Sequence, residues 1–415
     1  MILEKQEEIF ERNYNRIKVL FRAAYSIGVN LMAASKIKDA LKIVHVGLIM
    51  LAFLSVYTQY CYLMRNINSI PLIAESIYTA LQVLSGTSKL IYFFFTHRTF
   101  YRLLDQTLTH DIIYQMEIFQ HDFPINQMLK REIDVIMNRV WRTTRFLVLL
   151  FFYACFTVFA NYLVAAICIN LYHQLKETPD YHFILPLPAL YTFWESKGMT
   201  FPYYHMQMFI TTAAMHVSAM TGASFDGTFV VLCQHAAGLM EVHNLLVQHA
   251  TSPDIPPERR VEYLRYVIKT YQRVNNFTLE IQTIYRHISL AQFLLSLISF
   301  GFMLFEANYG IRPNVNNLIR MIMYIMATGT QITIYCYHGQ ILTNVNEEIP
   351  VVYYNCNWYD ENKTFKHLIR MMIMRTNKDF YLEVSWFTLM NFATLISLFR
   401  ASGSYYLILK NFQED

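Results

Sequence analysis

Seven long apolar segments restrict the fold of this chain more than any other feature. They cover roughly residues 41–64, 71–95, 146–171, 203–226, 288–307, 318–342 and 383–409. A helix of about 20 apolar residues spans the hydrocarbon core of a bilayer, and irregular backbone exposed to lipid leaves its polar groups unsatisfied. Only 15% of the 415 residues are charged, whereas soluble proteins carry about 25%. The sequence therefore predicts an all-α membrane protein with seven transmembrane helices.

The lysines and arginines predict how these helices are oriented. If the N-terminus is cytosolic, 26 of the 34 basic residues lie in the cytosolic segments 1–42, 96–145, 227–287 and 343–382, and five lie outside. Basic residues concentrate on the cytosolic side of membrane proteins. We therefore expect a cytosolic N-terminus and an extracellular C-terminus. G-protein-coupled receptors have the opposite orientation, and their Asp-Arg-Tyr and Asn-Pro-x-x-Tyr motifs are missing at the expected positions.

The long linkers on the cytosolic side are expected to be helical. Residues 261–288 have apolar side chains at helical spacing with charges between them, and 96–145 are similar. Such helices would extend the membrane helices below the bilayer and pack together there. By contrast, 172–202 contains four prolines and several aromatic residues, which favours a folded loop at one end of the bundle.

Ionisable residues within the apolar segments each need an explanation. Glu75, Glu306 and Lys89 lie near segment ends, where a long side chain can reach the interface at low cost. Asp226 lies at an inner boundary, where we expect a structural hydrogen bond or ion pair. Arg400 lies deeper, where a charge is costly enough to need a partner or water.

The last apolar segment has a polar stripe along one helical face. Ser397, Arg400, Ser404, Ile408 and Asn411 follow one another at steps of three or four. One interpretation is a hydrogen-bonded seam with a neighbouring helix. The other is a pore lining around a symmetry axis, with Ile408 as the hydrophobic constriction. The second interpretation requires an oligomer, because one such helix cannot enclose a channel.

Enzymatic, metal, cofactor and nucleic-acid functions find no support in the sequence. The six cysteines are scattered without a C-x-x-C pair, and no His-Glu-x-x-His, Gly-x-Ser-x-Gly or phosphate-binding glycine loop occurs. The net charge of +4 is small for nucleic-acid binding. A transporter is disfavoured, because we find no inverted repeat or pair of broken helices. We expect no cofactor and no metal.

Four stretches resemble the insect odorant receptors. The C-terminal GSYYLILKNF (403–412) resembles the insect chemoreceptor signature, with Ser404-Tyr405 in the odorant form and Asn411-Phe412 nearer the gustatory ending. The others are 225–235, 354–375 and the outer loop 185–191. The resemblance is clear over helices four to seven and otherwise depends on length and topology. A gustatory receptor channel is the alternative, because the C-terminal signature is mixed.

The resemblance implies an odorant-gated, non-selective cation channel in the plasma membrane of olfactory sensory neurons. In that family an odorant-specific subunit forms a tetramer with an obligate co-receptor, whose linker between helices four and five is much longer than 227–287 here. This chain therefore looks like an odorant-specific subunit. The family also implies three regions: a binding bundle (1–342), a cytosolic anchor (343–382) and a pore helix with the C-terminus (383–415). A break near 376–379 divides the seventh helix into an anchor part at about 361–376 and a pore part.

Family members bind odorants between helices two, three, four and six, in the outer half of the membrane. The residues that this implies for ligand contact are Tyr78, Leu81 and Gln82 on helix two, Phe159, Tyr162 and Leu163 on helix three, Met206, Phe209, Ile210 and Thr211 on helix four, and Met321, Tyr324 and Thr328 on helix six. An aromatic and methionine-rich lining suits small volatile molecules. Ordinary core packing is the alternative role for each residue.

Overall fold

The chain is almost entirely helical. The computed structural model describes residues 6–32, 39–176, 183–197, 200–309, 315–378, 381–385 and 388–414, without the side chains of 39–40, 70–71, 307–309, 315–319 and 408–414. Its α-helices are α1 (Gln6–Arg16), α2 (Lys18–Ser26), α3 (Asp39–Arg65), α4 (Ile70–Leu108), α5 (Asp111–Tyr114), α6 (Asn126–Leu175), α7 (Tyr203–Thr221), α8 (Gly227–Gln248), α9 (Arg260–Tyr309), α10 (Val315–Asn355), α11 (Lys363–Thr376) and α12 (Phe392–Glu414). Short 3-10 turns occupy Glu117–Gln120, Thr192–Lys197, Pro257–Arg259 and Trp358–Asp360, and Gly222–Asp226 is a π-helical turn between α7 and α8.

Four helical stretches in the described part of the chain are long and apolar enough to cross a bilayer: Leu41–Arg65, Asn126–Leu175, Tyr203–Gln248 and Pro257–Glu306. The helices α4, α10 and α12 are not among these four, although each contains 23 or more residues. Polar side chains on α4 and α10 face the interior of the bundle, where other helices supply hydrogen-bond partners. The fold is thus a helical, membrane-type bundle.

The longest helices continue well beyond a bilayer's thickness. At 1.5 Å per residue, the 50 residues of α6 and of α9 each extend about 75 Å, against roughly 30 Å of hydrocarbon core. The stretch 261–288 is helical throughout, as the spacing of its apolar residues predicts. One hydrophobic core connects the apolar spans to these extensions.

Buried polar contacts join the N-terminal helix to the extensions. Asn13 of α1 donates from Nδ2 to the Leu108 carbonyl at the end of α4, at 3.0 Å. Trp141 of α6 donates from Nε1 to His110 Nε2, also at 3.0 Å. Both Trp141 and His110 are almost completely buried. These contacts fix α1, α4 and α6 relative to one another.

The seventh apolar segment differs from the helix expected over 383–409. Its first residues form the strands β1 (Glu383–Ser385) and β2 (Thr388–Leu389), which pair antiparallel, and the Met390 amide donates to the Leu382 carbonyl at 2.7 Å. The α12 helix begins at Phe392, because the Asn391 side chain accepts a hydrogen bond from the Thr394 amide at 2.9 Å and so caps it. The expected division near 376–379 is present, since α11 ends at Thr376.

Candidate functional site

One cavity lies between α4, α6, α7 and α10. The volume of this cavity is ≈ 80 Å³. Its lining consists mainly of aliphatic, aromatic and sulfur-containing side chains, with a few hydroxyl and amide groups: Thr79, Gln82, Val83, Phe151, Cys155, Val158, Phe159, Tyr162, Leu187, Met215, Ser218, Ala219, Gly222, Tyr324, Ala327, Thr328 and Gln331. Such a lining suits a small, mostly apolar molecule with a few hydrogen-bonding groups.

The loop before α7 contributes to the cavity wall through Leu187. Asn170 of α6 holds the start of this loop, since its amide group both donates to the Ile184 carbonyl and accepts from the Ile184 amide, each at 2.8 Å. The Leu190 amide donates to the Thr58 carbonyl of α3 at 2.9 Å. With both sides held, Leu187 is fixed against the cavity and is only 4% exposed.

Tyrosines line the end of the cavity nearest this loop. The Tyr324 hydroxyl donates to the Tyr78 carbonyl at 2.7 Å, and the two rings lie 4.7 Å apart. The Tyr162 hydroxyl is buried without a hydrogen-bond partner among the described residues. The Arg320 guanidinium lies 5.4 Å from the centre of the Tyr162 ring.

A buried ion pair lies beneath the opposite end of the cavity. Lys89 Nζ of α4 lies 2.9 and 2.8 Å from the two carboxylate oxygens of Asp226, which belongs to the π-helical turn. Gln331 and Tyr335 of α10 each donate to the same carboxylate at 2.6 Å. We call these four residues the floor cluster. The ion pair expected for Asp226 is present, whereas the interfacial position expected for Lys89 is wrong, because its side chain is 2% exposed and is directed inward to Asp226.

The cavity includes five of the thirteen residues predicted to contact ligand. These five are Gln82, Phe159, Tyr162, Tyr324 and Thr328. Tyr78 and Met321 are buried, and Tyr78 contacts the cavity residue Tyr324. Leu81 and Leu163 are half-buried outside the lining. Ligand contact by each of these residues stays a prediction.

The four residues predicted on α7 lie nearer the loop before α7 than the cavity does. Met206 and Phe209 are 46% and 65% exposed, on the outside of the bundle. Ile210 is buried with Leu185 of the loop, and the Thr211 hydroxyl donates within the helix. The cavity instead contacts α7 from Met215 inward. The loop before α7 packs on the first turns of α7, so the cavity lies deeper in the bundle.

Sequence reasoning missed Gln331, Gly222 and Leu187. The sequence contained a usable signal for Gln331, because this residue follows Tyr324 by seven positions and so lies on the same face of α10. Gly222 and Leu187 had none, since their position depends on contacts between distant parts of the chain. We find no group of three metal-ligating side chains in the described ranges.

The polar face of α12 lies away from the rest of the chain. The helix packs on α9 and α10, and Leu398 and Ser402 are buried there. Ser397, Arg400 and Ser404 are exposed on the opposite side. The side chains of Ile408 and Asn411 lie outside the described residues. A pore-lining role for these five residues stays a prediction.

Comparison with known proteins determines the family. The family model described as 7tm Odorant receptor matches residues 69–403. Odorant receptor 63a of Drosophila melanogaster is 42% identical over 98% of both chains. The chain belongs to the insect odorant receptor family. Odorant receptor 67b of the same species is 24% identical over 94% of this receptor and 93% of that chain.

Solved structures show that the fold is shared. The insect olfactory receptor OR5 from Machilis hrabei in complex with eugenol has a TM-score of 0.78 to this receptor, at 12% identity, and covers 97% of this chain and 99% of that one. The structure described without eugenol has a TM-score of 0.72. The family model and the two relatives show that the receptor is an odorant-specific family member and not an enzyme. The gustatory alternative is not supported.

Proposed function

We propose that the receptor is the odorant-binding subunit of a heteromeric, ligand-gated, non-selective cation channel that it forms with an obligate co-receptor. The cavity is the observation that supports this most directly. It has an apolar lining that suits a small volatile molecule, and it lies among the helices that the family uses for odorants. Permeating cations and membrane lipid are the remaining partners.

The proposed topology follows the distribution of basic residues. Seven helices cross the plasma membrane of olfactory sensory neurons, with the N-terminus cytosolic and the C-terminus extracellular. Residues 1–342 contain the first six crossings and the binding bundle, 343–382 form the cytosolic anchor, and 383–415 contain the pore helix. The extensions of α6 and α9 then lie below the bilayer.

The exposed polar face of α12 supports the pore assignment. Ser397, Arg400 and Ser404 would be unfavourable against lipid, so another subunit or water must cover them. A ring of such helices around an axis places these residues along a conduction path. Ile408 then forms the constriction, and Asn411 lies beyond it.

Current recording with and without the co-receptor tests this function. We expect volatile-evoked, non-selective cation current in cells that express both subunits, and none in cells that express either subunit alone. Tastant-evoked current from this chain alone would instead support a gustatory channel. A response that requires G-protein signalling would contradict both.

A further inference from the structure

The hydrogen bonds of Gln331 connect the floor cluster to α9. Gln331 Nε2 donates to Asp226 Oδ2 at 2.6 Å, while its Oε1 accepts from Gln292 Nε2 of α9 at 3.1 Å. Gln292 in turn accepts from the Ser85 hydroxyl of α4 at 2.5 Å. Among the described residues, Gln331 alone both lines the cavity and bonds to Asp226 and to α9.

The Gln331 amide can be reached from the cavity. A Cβ built on Gly222 would lie 4.0 Å from Gln331 Nε2 and 3.9 Å from Asp226 Oδ2. Because glycine has no side chain, this space stays open to a ligand atom. Gly222 belongs to the π-helical turn, a local irregularity often found at functional sites.

The amide retains hydrogen-bonding capacity for a ligand. A glutamine side chain has two N–H donors and two acceptor lone pairs. Asp226 takes one N–H and Gln292 takes one lone pair, so one of each remains. A hydroxyl or carbonyl oxygen on a ligand can use them, whereas a hydrocarbon cannot.

The α9 helix connects this contact to α12. Gln292 and Gly301 are nine residues apart, about 13 Å along the helix axis. A Cβ built on Gly301 would lie 2.6 Å from Cδ1 of Tyr405 on α12, so the two helices are in close contact there. The rings of Phe300 and Phe399 also meet, at 5.4 Å. A shift of α9 at Gln292 therefore reaches α12 through direct packing.

We propose that Gln331 selects oxygenated volatiles and couples their binding to α12. A ligand hydroxyl or carbonyl bonds to the free positions of the Gln331 amide and draws it away from Gln292. This releases α9 from its ligand-free position against α12. A hydrocarbon of the same shape fills the cavity without making this bond and opens the channel less. The inference rests on the proposed channel function.

Matched volatile pairs test the selection. The probes are benzyl alcohol against ethylbenzene and 1-hexanol against heptane, applied to cells that express the receptor with its co-receptor. In the wild type we expect the alcohol to act at about tenfold lower concentration, the effect of one neutral hydrogen bond. Gln331→Leu should remove this difference at unchanged surface expression. Gln340→Leu, the same change on α10 at a residue that bonds only to Asn344, should retain it.

Current without ligand tests the coupling. Gln292→Leu breaks the bond to α9 from the other side, so we expect a higher basal current and a smaller evoked increase. The basal and evoked currents of the double variant Gln331→Leu/Gln292→Leu should differ from wild type no more than those of Gln331→Leu alone, because both changes interrupt one connection. If the two glutamines had only a structural role, each variant would lower surface expression, and the double variant would show the sum of the two losses.

Four outcomes would overturn the proposal. They are equal potency of alcohol and hydrocarbon in the wild type, an unchanged potency difference in Gln331→Leu, additive defects in the double variant, or loss of the difference in Tyr162→Phe alone. The last result would place the polar contact at the other end of the cavity. If no volatile evokes current in the wild type, the channel function itself fails. In a receptor that does respond to a volatile, an unchanged basal current in Gln292→Leu would refute the coupling while leaving the channel function intact.

Discussion

Two ion pairs in this receptor have the same length but very different surroundings. Lys89–Asp226 and Arg102–Glu280 both measure 2.8 Å. The first pair is 2% and 0% exposed, the second 56% and 43%. Removing one member of a buried pair leaves an uncompensated charge away from water, whereas an exposed pair is replaced by hydration.

We predict that Lys89→Met lowers the free energy of unfolding by about 3–5 kcal/mol. Arg102→Met, the matched exposed change, should cost less than about 1 kcal/mol. Thermal unfolding of the purified receptor in detergent, together with its surface expression, measures both. Equal changes in unfolding free energy from the two variants would show that the buried Asp226 carboxylate does not need Lys89 to balance its charge.

His110 should make stability depend on pH. Burial lowers the pKa of His110 well below its ordinary value, and its Nε2 must stay unprotonated to accept from Trp141. An unfolded chain binds this proton near pH 6.5, whereas the folded receptor does not until a lower pH. The stability contributed by neutral His110 is therefore complete above about pH 6.5 and decreases as the pH falls below that value.

We predict that His110→Asn reduces the fall in unfolding temperature between about pH 6.5 and 5. Asparagine tolerates the left-handed backbone at this position, where φ is 53°. His367→Asn at an exposed position is the control and should leave the slope unchanged. An unchanged slope in His110→Asn would mean that other groups determine the pH dependence.

At the scale of helices and strands, α10 and the β2–α12 connection pack backbone to backbone at Gly339. A Cβ built there would overlap the Met390 carbonyl. Gly329 on the same helix has more room, since the nearest atom to its built Cβ is Phe300 Cζ at 3.8 Å. The two glycines thus form a matched pair for the same substitution.

We predict that Gly339→Ala destabilises the receptor by about 1–3 kcal/mol and reduces evoked current, because α10 must move away from Met390. Gly329→Ala should be neutral or should stabilise the helix by up to about 1 kcal/mol. The measurements are the unfolding midpoint and the current per receptor at the surface. Comparable behaviour of both variants would mean that the close approach at Gly339 does not hold α12 in place.

Helical spacing predicts the long elements, but it does not show where tertiary contacts interrupt them. The apolar residues of 261–288 recur at helical spacing, and the stretch is helical. Residues 383–389 were predicted as the start of the seventh helix because they continue its apolar run, whereas the hairpin depends on pairing between two very short strands. Tyr324 and Thr328, which the family resemblance implied as ligand contacts, share one face of α10 and both line the cavity. The depth of the cavity along α7 was not predictable from the sequence. It depends on the packing of Leu185, in the loop before α7, against Ile210 of α7.

At the scale of the whole molecule, orientation in the membrane determines which surfaces meet the odorant and which meet the cytosol. Two glycosylation sequons, at Asn276 and Asn362, lie on the proposed cytosolic side. Asn362 also caps α11 by accepting from the Phe365 amide at 2.8 Å.

We predict that neither sequon carries glycan and that a tag after Asp415 is detected on intact cells. Mass shifts on glycosidase treatment and antibody binding without permeabilisation measure these two properties. A sequon introduced into the outer loop 183–197 serves as the positive control. Glycan at Asn276 or Asn362, or a tag reached only after permeabilisation, would reverse the orientation.

We propose that occupancy of the cavity links odorant binding to current, and a pair of threonines on α10 tests this most directly. Thr328 is 2% exposed and lines the cavity, whereas Thr330 is half-buried and is not among the cavity-lining residues. We predict that Thr328→Phe raises the half-activating concentration of an effective volatile at least about tenfold, roughly 1.4 kcal/mol, at unchanged surface expression, because the new ring occupies ligand space. Thr330→Phe should respond like the wild type. If Thr328→Phe instead kept the wild-type concentration dependence, the volatile would not open the channel from this cavity.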